Sequence, residues 1–206
     1  MKGYKMATIE ENKAEFISLC GQIHRDGIGD LMKWLDNSDF YIAPASAKYH
    51  GAKPGGLLEH SLDVYHALEE LVSVYKDHIG NVSEETLVII SLFHDLCKVN
   101  FYGTETRNRK NAEGKWEPYT CYTYSEKFSY GGHGSKSVFL AQNFIKLTAE
   151  EAVCIQNHMS AWEDGAAKYC GAAYEQYPLA WILHVADEAA TFLIDKERQN
   201  DKSDQS

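Results

Sequence analysis

The chain has 206 residues, 44% of them hydrophobic, which suits one globular domain that can bury a sizeable core. It contains no apolar run of about 18 residues, and its N-terminus lacks the apolar region of a secretory signal, so we expect no membrane span and no export. The formal net charge of −10 argues against a surface that neutralises the phosphates of duplex DNA, while a small phosphorylated ligand stays compatible because a bound cation changes the local sign.

The cysteines predict a reduced, cytoplasmic protein. They are five, an odd number, and no two of them form a CxxC pair. This spacing indicates neither a zinc ribbon nor a disulfide framework.

The first half of the chain is predicted to be helices joined by one long loop. Thr8 and Glu11 form a capping box for a first helix, and a short second helix is expected from Asp30 to Leu35. The stretch FYIAPASAKYHGAKPGG is typical of a loop because it is rich in Pro, Gly and Ala.

Two apolar helices are predicted next. A stripe at helical spacing runs from Leu58 to Tyr75, and Gly80 is expected to end that helix. Ser83 caps the following helix, which is predicted to reach about Cys97.

Residues 100–131 break the helical pattern and predict a β-hairpin or a long ordered loop. From Lys98 to Lys127 the chain holds six Lys/Arg and four acids, so this insert is locally basic in an acidic protein. Its aromatic residues could stack on a base while the cations hold a phosphate. The alternative is an amphipathic hairpin that only covers the core.

Helices resume after the insert. Ser135 is expected to cap one helix, and the Thr148–Glu151 capping box begins another that runs to His158.

The C-terminal part combines a loop, a helix and a tail. Residues 160–177 are expected to form a loop, and Pro178 to begin a last helix. The polar segment 196–206 is predicted to be disordered.

Six histidines and aspartates stand out, five of them at or near the ends of these predicted helices and Asp187 inside the last one: His60, His94, Asp95, His133, His158 and Asp187. Imidazole and carboxylate together suit a divalent Mn, Fe, Co, Ni or Zn ion. Asp95 and Asp187 lie among apolar residues, and arginine is scarce, so we favour one or two metal ions as their partners over a satisfied polar core.

The motifs GGLLEHS, FHDLCK, GGHG, QNHM and LHVAD, in this order over residues 44–194, resemble the HD superfamily of metal-dependent phosphohydrolases. The similarity extends in particular to the HD domain of bacterial 3′-to-5′ exoribonucleases and to small HD proteins of bacteria and phages. It implies an all-α, HD-domain helical bundle with the insert around 100–131. We expect a single domain over residues 1–195, in which N-terminal helices 8–37 pack on an HD core 44–194.

The resemblance also implies a ligand set. A first ion would be held by His60, His94, Asp95 and Asp187. His133 and His158 would serve a second ion, with Asp95 bridging. In His-His forms of the family two consecutive histidines stand where this chain has His158-Met159, which leaves one histidine there.

Further residues are candidates for substrate binding. Lys98 follows Asp95 by three residues and could bind the substrate phosphate and take part in catalysis; a solvated lysine at a helix end is the alternative. His184 could contact the substrate, support the site or simply belong to the core. The remaining candidates are His50, Arg107, Arg109 and Tyr124.

The resulting prediction is a metal-dependent phosphohydrolase that hydrolyses a phosphoester, preferably of a nucleotide or short oligonucleotide. Two alternatives stay open: a nucleotide-binding regulatory module with a structural metal site, and a di-iron HD-type oxygenase. The sequence leaves the oligomeric state open.

Overall fold

The computed structural model describes residues 7–111, 113–125, 131–162, 166–196 and 198. Within this part the chain is mainly helical, with one antiparallel hairpin. This agrees with the predicted helical bundle that carries an insert. The helices are α1 (Ile9–Cys20), α2 (Ile28–Asp36), α3 (Gly56–Val74), α4 (Lys76–Ile79), α5 (Glu84–Leu92), α6 (His133–Gln142), α7 (Ala149–Gln156), α8 (Cys170–Gln176) and α9 (Pro178–Ala189).

Helix α3 is the centre of the core. Nearly every residue from Gly56 to Leu68 is buried, because α1, α5 and α9 all pack against this helix. Beyond Leu68 the helix emerges to the surface and ends at Val74, so the prediction that it continues to Gly80 is wrong. Gly80 instead ends the short helix α4.

Helix α5 is shorter than predicted, and this shapes the site. It begins at the Ser83 cap as expected but ends at Leu92, so His94 and Asp95 lie in a turn before a 3₁₀ segment, Leu96–Lys98. The His94 ring explains the break: its Nδ1 lies 2.6 Å from the Ser91 carbonyl oxygen. That contact occupies a carbonyl that a continuing helix would use for its own backbone bond.

The insert is a β-hairpin, which confirms the first of its two predicted forms. Strand β1 (Tyr102–Lys110) pairs with β2 (Trp116–Tyr124) from Tyr102↔Tyr124 to Lys110↔Trp116. Gly114, at a φ of +77°, lies in the turn that joins the strands. Lys127, which contributed to the predicted basic charge, lies outside the described residues.

Helices α6 and α7 pack closely against each other, and they position the predicted site residues His133 and His158. The capping box of Thr148 and Glu151 begins α7 as predicted, but the helix ends at Gln156, so His158 lies in the turn that follows. Ser135 does not cap α6; Gly132 takes that position, and the Ser135 hydroxyl accepts a hydrogen bond from Gln156. A Cβ on Gly134 would lie 2.1 Å from the Gln156 carbonyl oxygen, so only glycine fits there.

The C-terminal region is more ordered than predicted. The predicted loop 160–177 contains two 3₁₀ segments, Ser160–Trp162 and Ala166–Lys168, and helix α8. Pro178 begins α9 as expected. Arg198 is helical and buried, so the tail predicted from residue 196 begins too early, and residues 199–206 lie outside the described residues.

Candidate metal centre

Three predicted first-ion ligands meet where α3, α9 and the turn after α5 converge. His60 Nε2 lies 3.1 Å from Asp187 Oδ1 and 3.3 Å from His94 Nε2. His60 and His94 are buried, and one ligand atom from each of the three side chains lies within 4.8 Å of the other two. These residues come from three separate elements, so the site depends on the tertiary fold.

Asp95 joins this group to a second one. Its Oδ2 lies 3.3 Å from His94 Nε2 and 3.7 Å from His60 Nε2. Its Oδ1 lies 3.6 Å from His158 Nε2. The two carboxylate oxygens therefore face different partners, which is the arrangement that a bridging carboxylate requires.

A third group contains a residue that the sequence interpretation missed. Asp95, Cys97 and His133 can present their ligand atoms within 4.8 Å of one another. The Cys97 sulfur lies 3.4 Å from His133 Nδ1. The spacing of Cys97, two residues after Asp95, carried a signal, but an isolated cysteine in an apolar segment is more often a core residue. Among the described residues, the metal-capable groups place His158 with His94 and Asp95, and His133 with Asp95 and Cys97.

The hydrogen bonds of His94 and His158 fix which ring nitrogen carries the proton, and this shows whether a cation fits between these rings and Asp95. The Nδ1 atoms of His94 and His158 donate to the carbonyl oxygens of Ser91 and Ile155, at 2.6 and 2.8 Å. In a neutral imidazole the Nε2 atom then carries a lone pair. Both lone pairs face the Asp95 carboxylate, and the buried His158 Nε2 has no hydrogen-bond partner among the described residues. Lone pairs and a carboxylate that face each other fit a cation between them.

The charges of the acids agree with a site built for cations. Burial by itself raises the pKa of Asp95, but Lys98 and His94 outweigh it, so the pKa lies well below its usual range. The pKa of Asp187 is likewise lowered, because contact with His60 outweighs burial. Burial lowers the pKa of His158, but the neighbouring Asp95 and Asp187 outweigh burial, so the pKa is raised above its ordinary value.

Lys98 is in the site, and it is not the solvated helix-end lysine of the alternative interpretation. It is only 8% exposed, and its Nζ lies 2.5 Å from Asp95 Oδ2. Burial lowers the pKa of Lys98, but the Asp95 carboxylate more than compensates, so the pKa is raised and the side chain stays charged.

His50 and His184 both lie beside the predicted ligands. The His50 ring centroid is 5.1 Å from that of His60, and burial lowers the pKa of His50 to about 4, so its ring is neutral near pH 7. The His184 Nδ1 donates to the His158 carbonyl oxygen at 2.7 Å. This bond helps to fix the turn that carries His158, whereas a contact with substrate stays a prediction for both residues.

The candidates on the hairpin lie at different distances from the centre. Tyr124 is at its base, 63% exposed, with its ring centroid 5.9 Å from that of Tyr102. Tyr102 is the partner of Tyr124 in the register, and Arg107 follows Tyr102 by five residues on β1, which is about 16 Å at the usual rise per residue. Arg107 pairs with Glu105, and Arg109 with Glu117. Both arginines therefore lie towards the tip of the hairpin, with acidic partners already beside them.

A second buried cation near the site was not anticipated. Lys136 is 5% exposed, and its Nζ lies 4.9 Å from the Phe101 ring centroid. It follows His133 by three residues and so lies on the same side of α6, which is the signal that could have identified it.

One comparison with known proteins gives a match for this chain. The family model of the HD domain matches residues 57–191, a range that includes all six predicted metal ligands. Neither the curated proteins nor the solved structures give a match. Within the described residues no helix is long and apolar enough to cross a membrane.

Proposed function

Because the chain belongs to the HD superfamily of metal-dependent phosphohydrolases, we propose that it hydrolyses a phosphoester at the centre around Asp95, with a nucleotide or short oligonucleotide as substrate. The observation that supports this most is the fixed orientation of the imidazoles. Backbone carbonyls hold Nδ1 of His94 and of His158, so both Nε2 atoms face a buried carboxylate.

We assign the ligands from this geometry. His60, His94, Asp95 and Asp187 would hold a first divalent ion. One ligand atom each from His60, His94 and Asp187 lie within 4.8 Å of one another, and Asp95 Oδ2 lies 3.7 Å from His60 Nε2. When bound, a divalent ion supplies Lewis-acid activation of the phosphoryl group and of the attacking water. The preference for Mn, Fe, Co, Ni or Zn follows from a donor set of imidazole and carboxylate.

Lys98 would add positive charge beside the scissile group. An ammonium has three donors, so Nζ can keep its contact with Asp95 Oδ2 and still donate to a phosphoryl oxygen. Because the side chain is buried, this charge acts where water screens it poorly.

The hairpin supports the nucleotide part of the proposal. The exposed ring of Tyr124 lies beside Tyr102 and Phe101, and burial raises the pKa of Tyr102, so its hydroxyl stays neutral. Aromatic faces of this kind stack on bases with little preference for sequence, by about 1–3 kcal/mol per base.

A substrate screen tests the proposal. Purified protein, stripped of metal and reloaded with Mn, Co, Ni or Mg, is incubated with mono-, di- and cyclic nucleotides and with short oligonucleotides. We expect metal-dependent hydrolysis of at least one class. Asp95→Ala should lose bound metal and activity while keeping wild-type helix content, and Asp77→Ala, an exposed change in α4, should keep all three.

Two results would contradict the proposal. Full activity of the metal-free protein would remove the role of the centre. Turnover that needs iron and oxygen, with an oxidised product, would instead identify the oxygenase alternative.

A further inference from the structure

Cys97 lies inside the candidate centre and has no role in the function proposed above. Its side chain is fully buried in the 3₁₀ segment Leu96–Lys98. The sulfur is 3.6 Å from Asp95 Oδ1 and 3.4 Å from His133 Nδ1. The Cys97 thiol is thus next to two side chains that can both bind metal.

The backbone fixes this arrangement. The Cys97 amide donates to the Ser137 hydroxyl at 3.1 Å, and Ser137 lies one turn beyond His133 on α6. The same contact therefore holds the cysteine and the histidine against each other. Metal–sulfur and metal–nitrogen bonds are about 2.3 and 2.0 Å, so a sulfur and a nitrogen that share one tetrahedral, zinc-like ion would be about 3.5 Å apart. The three ligand atoms already lie within 4.8 Å of one another.

The two oxygens of Asp95 separate the sulfur from the first ion. Oδ2 faces His60, His94 and Lys98. Oδ1 faces Cys97, and the buried His158 Nε2, which has no hydrogen-bond partner among the described residues, lies 3.6 Å from the same oxygen. An unpartnered buried nitrogen at that oxygen independently indicates that a cation belongs on this side of the carboxylate.

We propose that Cys97 is a thiolate ligand of a second ion, held together with Asp95 Oδ1 and His133. This inference rests on the proposed function, because it requires the metal centre. On binding, the S–H bond breaks, a sulfur–metal bond forms and the proton passes to solvent, with no change in oxidation state. A thiolate in the donor set favours Zn, Co, Fe or Cd over Mn or Mg.

Cobalt spectroscopy tests the ligand without any need for turnover. The metal-free protein is titrated with Co(II) while absorbance is recorded in the visible range, which reports bound cobalt, and in the near ultraviolet, where a thiolate gives a sulfur-to-cobalt band. We expect both signals in the wild type. Cys97→Ser should lose the near-ultraviolet band and keep visible bands from the first ion. Cys121→Ser, on strand β2, should keep both.

The outcomes separate this inference from the proposed function. Cobalt bands in the visible range without a thiolate band in the wild type would overturn the role of Cys97, as would an undiminished thiolate band in Cys97→Ser. If Cys97→Ser fails to fold, Cys97→Ala gives the same comparison, and a wild-type spectrum without a thiolate band overturns the role of Cys97 in either case. A clear thiolate band in a protein that hydrolyses no phosphoester would keep Cys97 as a ligand and reject the proposed function.

Competition between metals adds a quantitative check. Loss of an outer hydrogen-bond partner of a metal ligand already weakens metal binding by about 10- to 100-fold, so loss of a ligand should cost at least about tenfold. We expect Cys97→Ser to weaken binding of the second Zn or Cd ion by this factor and to change Mn binding much less. Equal losses for Zn and Mn would contradict a thiolate ligand.

Discussion

Lys98 shows how one side chain can serve two partners. Its ammonium contacts the buried Asp95 carboxylate, so it helps to balance charge in the centre before any substrate arrives. A phosphoryl group next to Asp95 would meet the same ammonium. The residue therefore balances charge beside Asp95 and, in the proposed function, would also contribute to the chemistry.

Lys98→Met keeps the apolar stem and removes the charge. A charge-assisted contact of this kind is worth about 1.5–3 kcal/mol, so we expect kcat/KM to fall about 10- to 100-fold on the substrate found by the screen. Metal content should stay unchanged, because an ammonium cannot be a ligand. Lys76→Met, on the exposed helix α4, is the control. Wild-type kinetics in Lys98→Met would reject the role in catalysis.

Residue-level chemistry was partly visible in the sequence. Asp95 and Asp187 stood out as candidate ligands because they occur among apolar residues, where an isolated charge is costly, and the resemblance to the HD family implied the full set of six. Cys97 and Lys136 did not stand out, since a buried cysteine is ordinary and a lysine is usually solvated. Only the approach of α6 to the turn after α5 gives these two residues their neighbours.

The contact between α6 and α7 depends on the missing side chain of Gly134. A Cβ there would overlap the Gln156 carbonyl, which is backbone and cannot rotate away. Gly134 follows His133 directly, and Gln156 ends the helix that precedes His158. The spacing of the two histidines is therefore set by the closeness of the two helices.

Gly134→Ala should separate the helices and displace His133 from Cys97. We expect the protein to lose about 1–3 kcal/mol of unfolding free energy, in the range of an overpacked core, and to lose the second metal ion. Gly171→Ala, in α8, adds a Cβ with no atom within 4 Å and is the matched control. Metal content by elemental analysis and urea unfolding measure the two effects. Unchanged metal content in Gly134→Ala would show that the close approach is not needed for the site.

Element boundaries were predictable where a local signal decides them. Both capping boxes, at Thr8 and Thr148, begin their helices as predicted, because each is completed within four residues of chain. The end of α5 at Leu92 was missed, because it depends on a ring-to-carbonyl bond in the metal centre. Helix α8 was missed because glycine and alanine in residues 160–177 resemble a loop until the segment packs against α9.

Glu151 connects α7 to the segment after α1. Its carboxylate caps Thr148 and pairs with Arg25 on both oxygens, at 2.6 Å, and its side chain is fully buried. Burial alone raises the pKa of Glu151, but Arg25 and the Thr148 amide outweigh it, so the pKa lies below the ordinary value of 4.5. The charged form is thus the one that stabilises the fold.

Glu151→Gln leaves Arg25 without its main partner and should cost about 3 kcal/mol near pH 7, as when a buried pair is broken. Because the folded pKa is depressed, this stability is present above pH 4.5 and is lost as pH falls through the lower, folded value. Urea unfolding from pH 7 to pH 3 should therefore show the two proteins converging. Glu10→Gln, in the exposed first turn of α1, is the control. A difference that stays constant over this range would contradict the assignment.

At the scale of the whole molecule, a residue near the C-terminus, Arg198, contacts the central helix α3. Arg198 contacts Asp63 at 2.5 and 2.6 Å and Glu59 at 3.2 Å, all on α3, the central helix that also carries His60. The polar composition of this segment predicted disorder. Composition alone does not show that two buried acids on α3 need a cation, so it could not predict the position of Arg198. Arg198 thus packs against the same helix that carries the candidate metal ligand His60.

The ion pair of Arg198 and Asp63 should add little net stability, although removal of only one partner should be costly. Burial raises the pKa of Asp63 even though Arg198 lowers it, which shows that desolvation of the carboxylate is not fully offset. Arg198→Met leaves Asp63 buried without its partner and should cost about 3–5 kcal/mol of unfolding free energy. Glu59 keeps its contact with Lys53.

The double variant Arg198→Met, Asp63→Val tests this reasoning. It removes both charges, so most of the loss in Arg198→Met should be recovered, and a double-mutant cycle in urea measures the coupling. Metal binding should follow stability, because His60 lies one turn before Asp63 on the same helix and moves with it. An Arg198→Met protein as stable as the wild type would mean that α3 holds its position without the C-terminal segment. A double variant less stable than Arg198→Met would mean instead that Asp63 stabilises the fold through contacts other than the ion pair.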